Sequence, residues 1–154
     1  MTAAALAMTG GLAWRRPRLP TCRTYASSAD VQALIANARK IHKPGQPTVI
    51  QPILSLAPYK AQLEYRTSVG PAAVHERKRN SSTSSRGRGT LVTGGKLTNE
   101  KRQNATNLGG DGIEGGTVRQ VSKGDFVVVP ENTPHWFSAI HGELMQMSLH
   151  VPRG

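Results

Sequence analysis

The pattern of apolar and polar residues after residue 26 begins with a helical repeat. Apolar side chains recur at the spacing of one helix face: Val31, Leu34, Ile35, Ala38 and Ile41. Ser27 or Ser28 is a suitable N-cap. Asp30 lies in the first turn, where the helix dipole favours negative charge, and Pro44 follows the last turn. We therefore predict an amphipathic helix over residues 28–42, packed on the outside of a sheet.

Strand patterns follow the helix. The extended run at residues 48–54 contains Pro52, which predicts an edge strand because proline cannot donate to a sheet ladder. Residues 60–67 alternate between an apolar face, which includes Leu63 and Tyr65, and a polar face made of Lys60, Gln62, Glu64 and Arg66. Such alternation predicts a half-buried strand.

The C-terminal part of the chain alternates in the same way. Over residues 143–151 one face holds Met145, Met147, Leu149 and Val151, and the other holds Leu144, Gln146, Ser148 and His150. The two methionines fit a core, since methionine fills irregular gaps. Residues 96–117 are rich in Gly, Asn and charge, and we predict a long surface loop there.

The stretch from Gly124 to His135 has the most specific pattern. Gly124 opens a turn, and the β-branched run at residues 126–129 predicts a buried strand. Pro130 ends that strand, a tight corner follows, and His135 begins the next strand. The corner therefore places one imidazole at the mouth of a β structure, where a metal ion or a substrate would bind.

The length of the chain fits one domain, and its composition argues against nucleic-acid binding, a disulfide bond and a membrane span. The chain has 154 residues and a net charge of +11, from 20 Lys+Arg against 9 Asp+Glu. Nine of the basic residues fall within residues 1–25 and 77–88, and aromatic residues make up only 5%, which argues against a nucleic-acid-binding surface. Cys22 is single, so no intrachain disulfide or Cys-based zinc site is expected. No apolar run reaches the ~18 residues of a membrane span.

Residues 1–25 have the composition of a leader. No acidic residue precedes Asp30, and residues 1–14 are mostly small and apolar, like the apolar region of a secretory signal. The arginines follow this run instead of preceding it. We predict an exported or periplasmic protein with a truncated signal. Two alternatives remain open: a mitochondrial presequence that ends before Ala26, and a disordered tail.

The pattern around His135 resembles the second sequence motif of the cupin family of small β-barrels. Gly124, Pro130 and His135 fall at the spacing of that motif. Asn132 replaces its middle glycine, a mild change because asparagine tolerates positive φ. Ala139 stands at the place of the motif's asparagine.

The resemblance covers most of the chain after residue 26 and implies a fold. The expected class is all-β, with a single cupin-type (jelly-roll) β-barrel at residues 45–152. An N-terminal helix at residues 26–44 and the leader at residues 1–25 precede the barrel. A small-molecule ligand is implied as the partner, and barrel edge strands allow a homodimer.

The resemblance also implies a metal site, since cupins commonly hold one divalent iron, manganese, zinc or nickel ion with histidines and a carboxylate. His75 stands at the place of the second histidine of the first motif, while Ala73 and Asn80 stand at the places of its first histidine and its glutamate. His75 and His135 are therefore the expected metal ligands. The weaker candidate ligands are Glu76, Glu131 and His150. The expected cavity wall consists of Tyr65, Trp136, Phe137, Met145 and Met147.

Residues 77–88 do not match the apolar strand that a cupin has at this place. The segment is basic at both ends and polar between Asn80 and Ser85, and it resembles a flexible insert. Codons permitted for these residues, translated one base out of register, encode a glutamate followed by an apolar strand. One hypothesis is therefore a frame-shifted stretch. The other is a genuine disordered insert that provides a basic contact patch.

Two function classes follow from these patterns. The first is a metal-binding cupin that acts on a small organic molecule, as a dioxygenase or an isomerase does. The alternative is a non-catalytic small-molecule-binding cupin module, or an inactive remnant with a disrupted strand at residues 80–87. A nucleic-acid contact through the basic patch ranks third. A fold alone does not decide between such functions.

Overall fold

The computed structural model describes residues 23–152 as one helix followed by eleven strands. Most of the predicted leader lies outside these described residues. The helix α1 spans Ser28–Ile41. The strands are β1 Thr48–Leu56, β2 Tyr59–Arg66, β3 Ala72–His75, β4 Lys78–Thr93, β5 Lys96–Thr98, β6 Lys101–Asn104, β7 Asn107–Gly110, β8 Gly112–Glu114, β9 Thr117–Ser122, β10 Phe126–Val129 and β11 His135–Pro152. No described helix has the length and apolar character needed to cross a membrane.

Helix α1 begins with a capping box and packs on the sheet. The Asp30 backbone N–H donates to Ser27 Oγ at 3.1 Å, and the Ser27 backbone N–H donates to the Asp30 carboxylate at 2.9 Å. The apolar face of α1 buries Ala38 against a core cluster that also contains Val49, Ile53, Leu63, Tyr65 and Met145. These contacts confirm the prediction of an amphipathic helix on the outside of a sheet.

The described strands form a nine-stranded antiparallel sheet and a separate two-stranded sheet of β5 and β8. The order along the main sheet is β1-β2-β11-β3-β7-β6, and β4 pairs with β11 on one side and with β10 and β9 on the other. The pairing of the edge strand β1 shifts register between Pro52 and Leu54, where proline interrupts the ladder. This arrangement is an all-β jelly roll with one helix, as predicted, and its sheet is not closed.

The prediction of a long loop at residues 96–117 is wrong. The segment contains the four short strands β5 to β8. β7 pairs with β3 and with β6, while β5 pairs with β8. A ladder is made by backbone groups, so Gly and Asn join it when neighbouring strands are in place.

The proposed disruption at residues 80–87 is also wrong. Lys78–Thr93 is a continuous strand of 16 residues, β4. It lies between β11 on one side and β10 and β9 on the other, so most of its backbone donors and acceptors have partners in two ladders. Residues 80–87 therefore form part of a paired strand of the sheet.

Candidate functional site

Three adjacent strands present polar side chains on the side of the sheet that faces away from α1. Cross-strand pairing of β2, β11 and β4 aligns them in three rows, which we call the polar face: Lys60, His150 and Asn80; Gln62, Ser148 and Ser82; Glu64, Gln146 and Ser84. Side chains alternate along each strand, so the residues between them, such as Leu63 and Met145, pack toward α1. The polar face is largely buried, since Glu64, Ser84, Gln146 and Ser148 are each less than 6% exposed.

Glu64 is the charged centre of the polar face. Its Oε1 accepts hydrogen bonds from Ser148 Oγ at 2.6 Å and Gln62 Nε2 at 3.1 Å, and its Oε2 pairs with Arg66 NH2 at 2.5 Å. Burial raises the pKa of Glu64, but the Arg66 guanidinium and these hydrogen bonds outweigh burial and lower it to about 2. The guanidinium of Arg66 also lies over the Phe137 ring, with its Cζ 5.1 Å from the ring centroid.

Three histidine rings lie close together beside the polar face. The ring centroids of His75 and His135 are 5.1 Å apart, and those of His75 and His150 are 6.1 Å apart. β3 provides His75, and the two ends of β11 provide His135 and His150. The pairing of His135 with Ala73 brings β11 against β3 at this point.

Hydrogen bonds fix which ring nitrogen carries the proton in His75 and His135. His75 Nδ1 lies 2.7 Å from Asn107 Oδ1, and that amide donates through Nδ2 to Asn104 Oδ1, so Oδ1 is the acceptor and His75 Nδ1 donates. His135 Nδ1 lies 3.1 Å from the Thr133 carbonyl oxygen and also donates. In a neutral ring, Nε2 then keeps its lone pair. Burial lowers the pKa of His135 to about 4, so this ring is neutral near pH 7.

His150 is protonated on Nδ1 as well, but its Nε2 is already engaged. That nitrogen lies 3.4 Å from Gln62 Nε2, an amide nitrogen that can only donate. Burial lowers the pKa of His150, which favours the neutral ring. Through Gln62, His150 is therefore connected to Glu64 rather than open to a ligand.

Solved structures have the same architecture. The cupin domain of Cnp3 from Schizosaccharomyces pombe matches with a TM-score of 0.50 and 11% identity, over 74% of this chain and 71% of that chain. The chain has a cupin-type fold. KdgF from Halomonas sp. matches with a TM-score of 0.53 and 17% identity over 73% and 86% of the two chains. Iron(II) HppE matches with a TM-score of 0.52 and 12% identity over 72% and 54%.

The likeness to these cupins concerns the fold. No model of a known protein family matches the sequence, and no curated protein sequence matches it. The function must therefore be argued from the residues of the site.

The two acidic candidate ligands, Glu76 and Glu131, form ion pairs with arginines. Glu76 is held by both terminal nitrogens of Arg102 at 2.9 Å, and Glu131 pairs with Arg79 Nε at 2.7 Å. Within residues 23–152, no group of three or more His, Cys, Asp or Glu side chains is arranged to hold a metal ion. Arginines engage both Glu76 and Glu131, so a role of either acid as the missing carboxylate ligand stays a prediction.

Asn80 lies on the polar face at the position where the cupin motif has its glutamate. It pairs across the sheet with His150, and its Oδ1 is buried without a hydrogen-bond partner among the described residues. The site therefore has an amide oxygen where the motif predicts a carboxylate. The buried acid of this site is Glu64, which sequence analysis missed although the alternation placed it on the polar side of its strand.

The predicted cavity wall divides between two faces of the sheet. Tyr65, Met145 and Met147 pack with α1 and not with the polar face, because side chains alternate along each strand with a period of two residues. Phe137 lies under Arg66 on the site side. The Trp136 indole nitrogen donates to the carbonyl oxygen of residue 70 at 2.8 Å, which anchors the start of β11.

Proposed function

We propose that this cupin binds a small polar organic molecule at the polar face, and that His75 and His135 hold one divalent metal ion beside it. The supporting observation is that both rings use Nδ1–H in hydrogen bonds, which leaves Nε2 on each for a metal ion. Metal-ligating histidines usually donate their other ring N–H in this way. The centroid separation of 5.1 Å suits two imidazoles that share one ion.

The residues fit a metal site with two protein ligands and open positions. The Glu64 oxygens accept from Ser148, Gln62 and Arg66. Among the described residues, Asn80 Oδ1 and Ser84 Oγ are buried oxygens of the polar face without a hydrogen-bond partner. Imidazole donors suit iron, nickel and zinc, and iron(II) is present in the structural neighbour HppE. When bound, such an ion would polarise a ligand oxygen as a Lewis acid.

The organic ligand would meet buried polar atoms that lack partners within the protein. Arg66 Nε, Asn80 Oδ1 and Ser84 Oγ are buried without hydrogen-bond partners among the described residues. An unpaired buried donor or acceptor costs about 1–3 kcal/mol, so a ligand that pairs with these atoms gains affinity. The mixture of donors and acceptors favours a ligand with hydroxyl or carbonyl groups.

Metal binding by histidine variants tests this proposal. The protein is purified without chelators, its metal content is measured by mass spectrometry, and Zn²⁺, Fe²⁺, Ni²⁺ and Mn²⁺ affinities are measured by dialysis. We expect His75→Ala and His135→Ala each to lose affinity about tenfold or more, because each removes one of two ligands. His141→Ala is the matched control, since His141 is exposed at the register shift of β11 between Ile140 and Leu144.

The same experiment distinguishes the metal-site proposal from the second candidate function, a small-molecule-binding module without a metal ion. The absence of a three-ligand group within residues 23–152 favours that candidate. A wild-type protein that takes up no metal, or a His135→Ala variant that binds as tightly as wild type, would contradict the metal proposal. Small-ligand stabilisation that EDTA leaves unchanged would then support the module.

A further inference from the structure

A separate cleft of about 310 Å³ lies between α1 and the sheet, on the side away from the polar face. We call it the basic cleft. Its apolar lining residues are Ile35 and Met145, and its polar ones are Gln32, Arg39, Ser85, Arg86 and Lys123. Three of these seven described residues are cations and none is acidic. The volume is at the lower end of the range for small-molecule sites, about 300–1,000 Å³.

A β-bulge directs Arg86 to the basic cleft. β4 pairs Ser84 with Gln146 and Arg86 with Met145, so Ser85 is an extra residue in this ladder. Gln146 belongs to the polar face, whereas Met145 packs toward α1. The bulge therefore moves the β4 side chains from one side of the sheet to the other. As a result, Arg86, which belongs to the basic segment at residues 77–88, lines the cleft.

The charges around the basic cleft are not balanced. Arg39 NH2 pairs with Glu143 Oε1 at 2.7 Å, and Arg86 NH1 lies 3.6 Å from the same oxygen with its side chain 62% exposed. Within residues 23–152 no ion pair involves Lys123. The nearby Asp125 accepts a hydrogen bond from the Ser122 backbone at 2.7 Å. Arg86 and Lys123 are thus available to an added anion.

We infer that the basic cleft binds a small molecule with a phosphate group. A phosphate monoester carries a charge of about −1.5 to −2 near pH 7 and three acceptor oxygens. Arg86 and Lys123 match that charge, and the Gln32 side-chain amide adds an uncharged donor at the same cleft. The inference is independent of the proposed metal site, which lies on the opposite side of the sheet.

Calorimetric titration of the intact protein with inorganic phosphate and pyrophosphate tests this inference. We expect saturable binding at low ionic strength that weakens about tenfold or more in Arg86→Gln and in Lys123→Gln, because each removes a charge-assisted hydrogen bond. Lys101→Gln is the matched control, since Lys101 is an exposed lysine of β6 and its loss changes the net charge equally. Unfolding midpoints of all variants check that the fold is kept.

Three outcomes would overturn the inference. The first is no saturable heat with either anion. The second is equal weakening in Lys101→Gln, which would indicate diffuse attraction by the net charge of +11. The third is tight binding of a short single-stranded oligonucleotide that pyrophosphate does not displace, which would indicate a polymer as partner.

Discussion

At the scale of a single residue, the burial of His135 affects both the stability of the protein and its capacity to bind a metal ion. Burial lowers its pKa from 6.5 to about 4, so the folded protein takes up this proton less readily than the unfolded chain. The same neutral ring is the form that binds a metal ion. Stability and metal affinity therefore depend on the same protonation state.

We predict that the metal-free protein becomes less stable as the pH falls and His135 is protonated. The contribution of His135 is fully present above about pH 6.5 and is lost as the pH falls to about 4, with a total of about 3 kcal/mol at about 1.4 kcal/mol for each pH unit. Urea unfolding between pH 4 and pH 7.5 measures this loss. His135→Gln should show a flatter pH dependence than wild type, and His141→Gln should follow wild type. Parallel curves for His135→Gln and wild type would contradict the account.

The side of the sheet on which a residue lies could be predicted from the sequence, but the residues to which it hydrogen-bonds could not. Alternation in residues 60–67 already separates Glu64 from Leu63, and this local rule also explains why Tyr65 packs toward α1. By contrast, Ser148 bonds Glu64 across a sequence separation of 84 residues. That contact depends on the register between β2 and β11, which no local pattern contains.

At the scale of elements, the close approach of β4 to β11 requires glycine at position 87, which pairs with Leu144. Gly87 has a φ of +78°, and a Cβ there would lie 1.8 Å from the Glu143 carbonyl oxygen. Gly45 has a similar φ of +79° with no atom within 4 Å of such a Cβ. The two positions therefore share the backbone strain and differ in the steric collision.

We predict that Gly87→Ala destabilises the protein much more than Gly45→Ala. Gly45→Ala should cost about 1–2 kcal/mol, the penalty of a left-handed conformation. Gly87→Ala should cost at least about 2 kcal/mol more, because the backbone of β11 must move. Urea unfolding of both variants gives the comparison. Similar losses in the two variants would show that β4 and β11 do not approach as closely as described.

Sequence patterns predicted elements well where the signal is local. The capping residue Ser27, the edge-strand proline Pro52 and the corner before His135 are all local signals, and the structure confirms the helix and strands that they delimit. The strands at residues 78–93 and 96–114 have compositions typical of loops. They become strands because neighbours satisfy their backbone groups, and this pairing is set by the whole sheet.

At the scale of the whole molecule, one sheet separates two chemically different surfaces. Its polar face and three histidines lie on one side, and α1 with the basic cleft lies on the other. The basic segment that suggested a single contact patch is divided, because Arg79 pairs with Glu131 while Arg86 lines the cleft. The cupin-type fold was predictable from the spacing around His135. The two missing motif residues at positions 73 and 80 are the reason that the fold alone does not decide the metal chemistry.

The central claim is that His75 and His135 each carry the proton on Nδ1 and keep Nε2 for a metal ion. A long-range ¹H–¹⁵N correlation spectrum of ¹⁵N-labelled protein measures this directly, before and after addition of Zn²⁺. We predict Nδ1–H tautomers for both rings near pH 7.5, and Zn²⁺-induced shifts of both Nε2 signals that His141 does not show. An Nε2–H tautomer in either ring, or signals of both rings that Zn²⁺ leaves unchanged, would contradict the account.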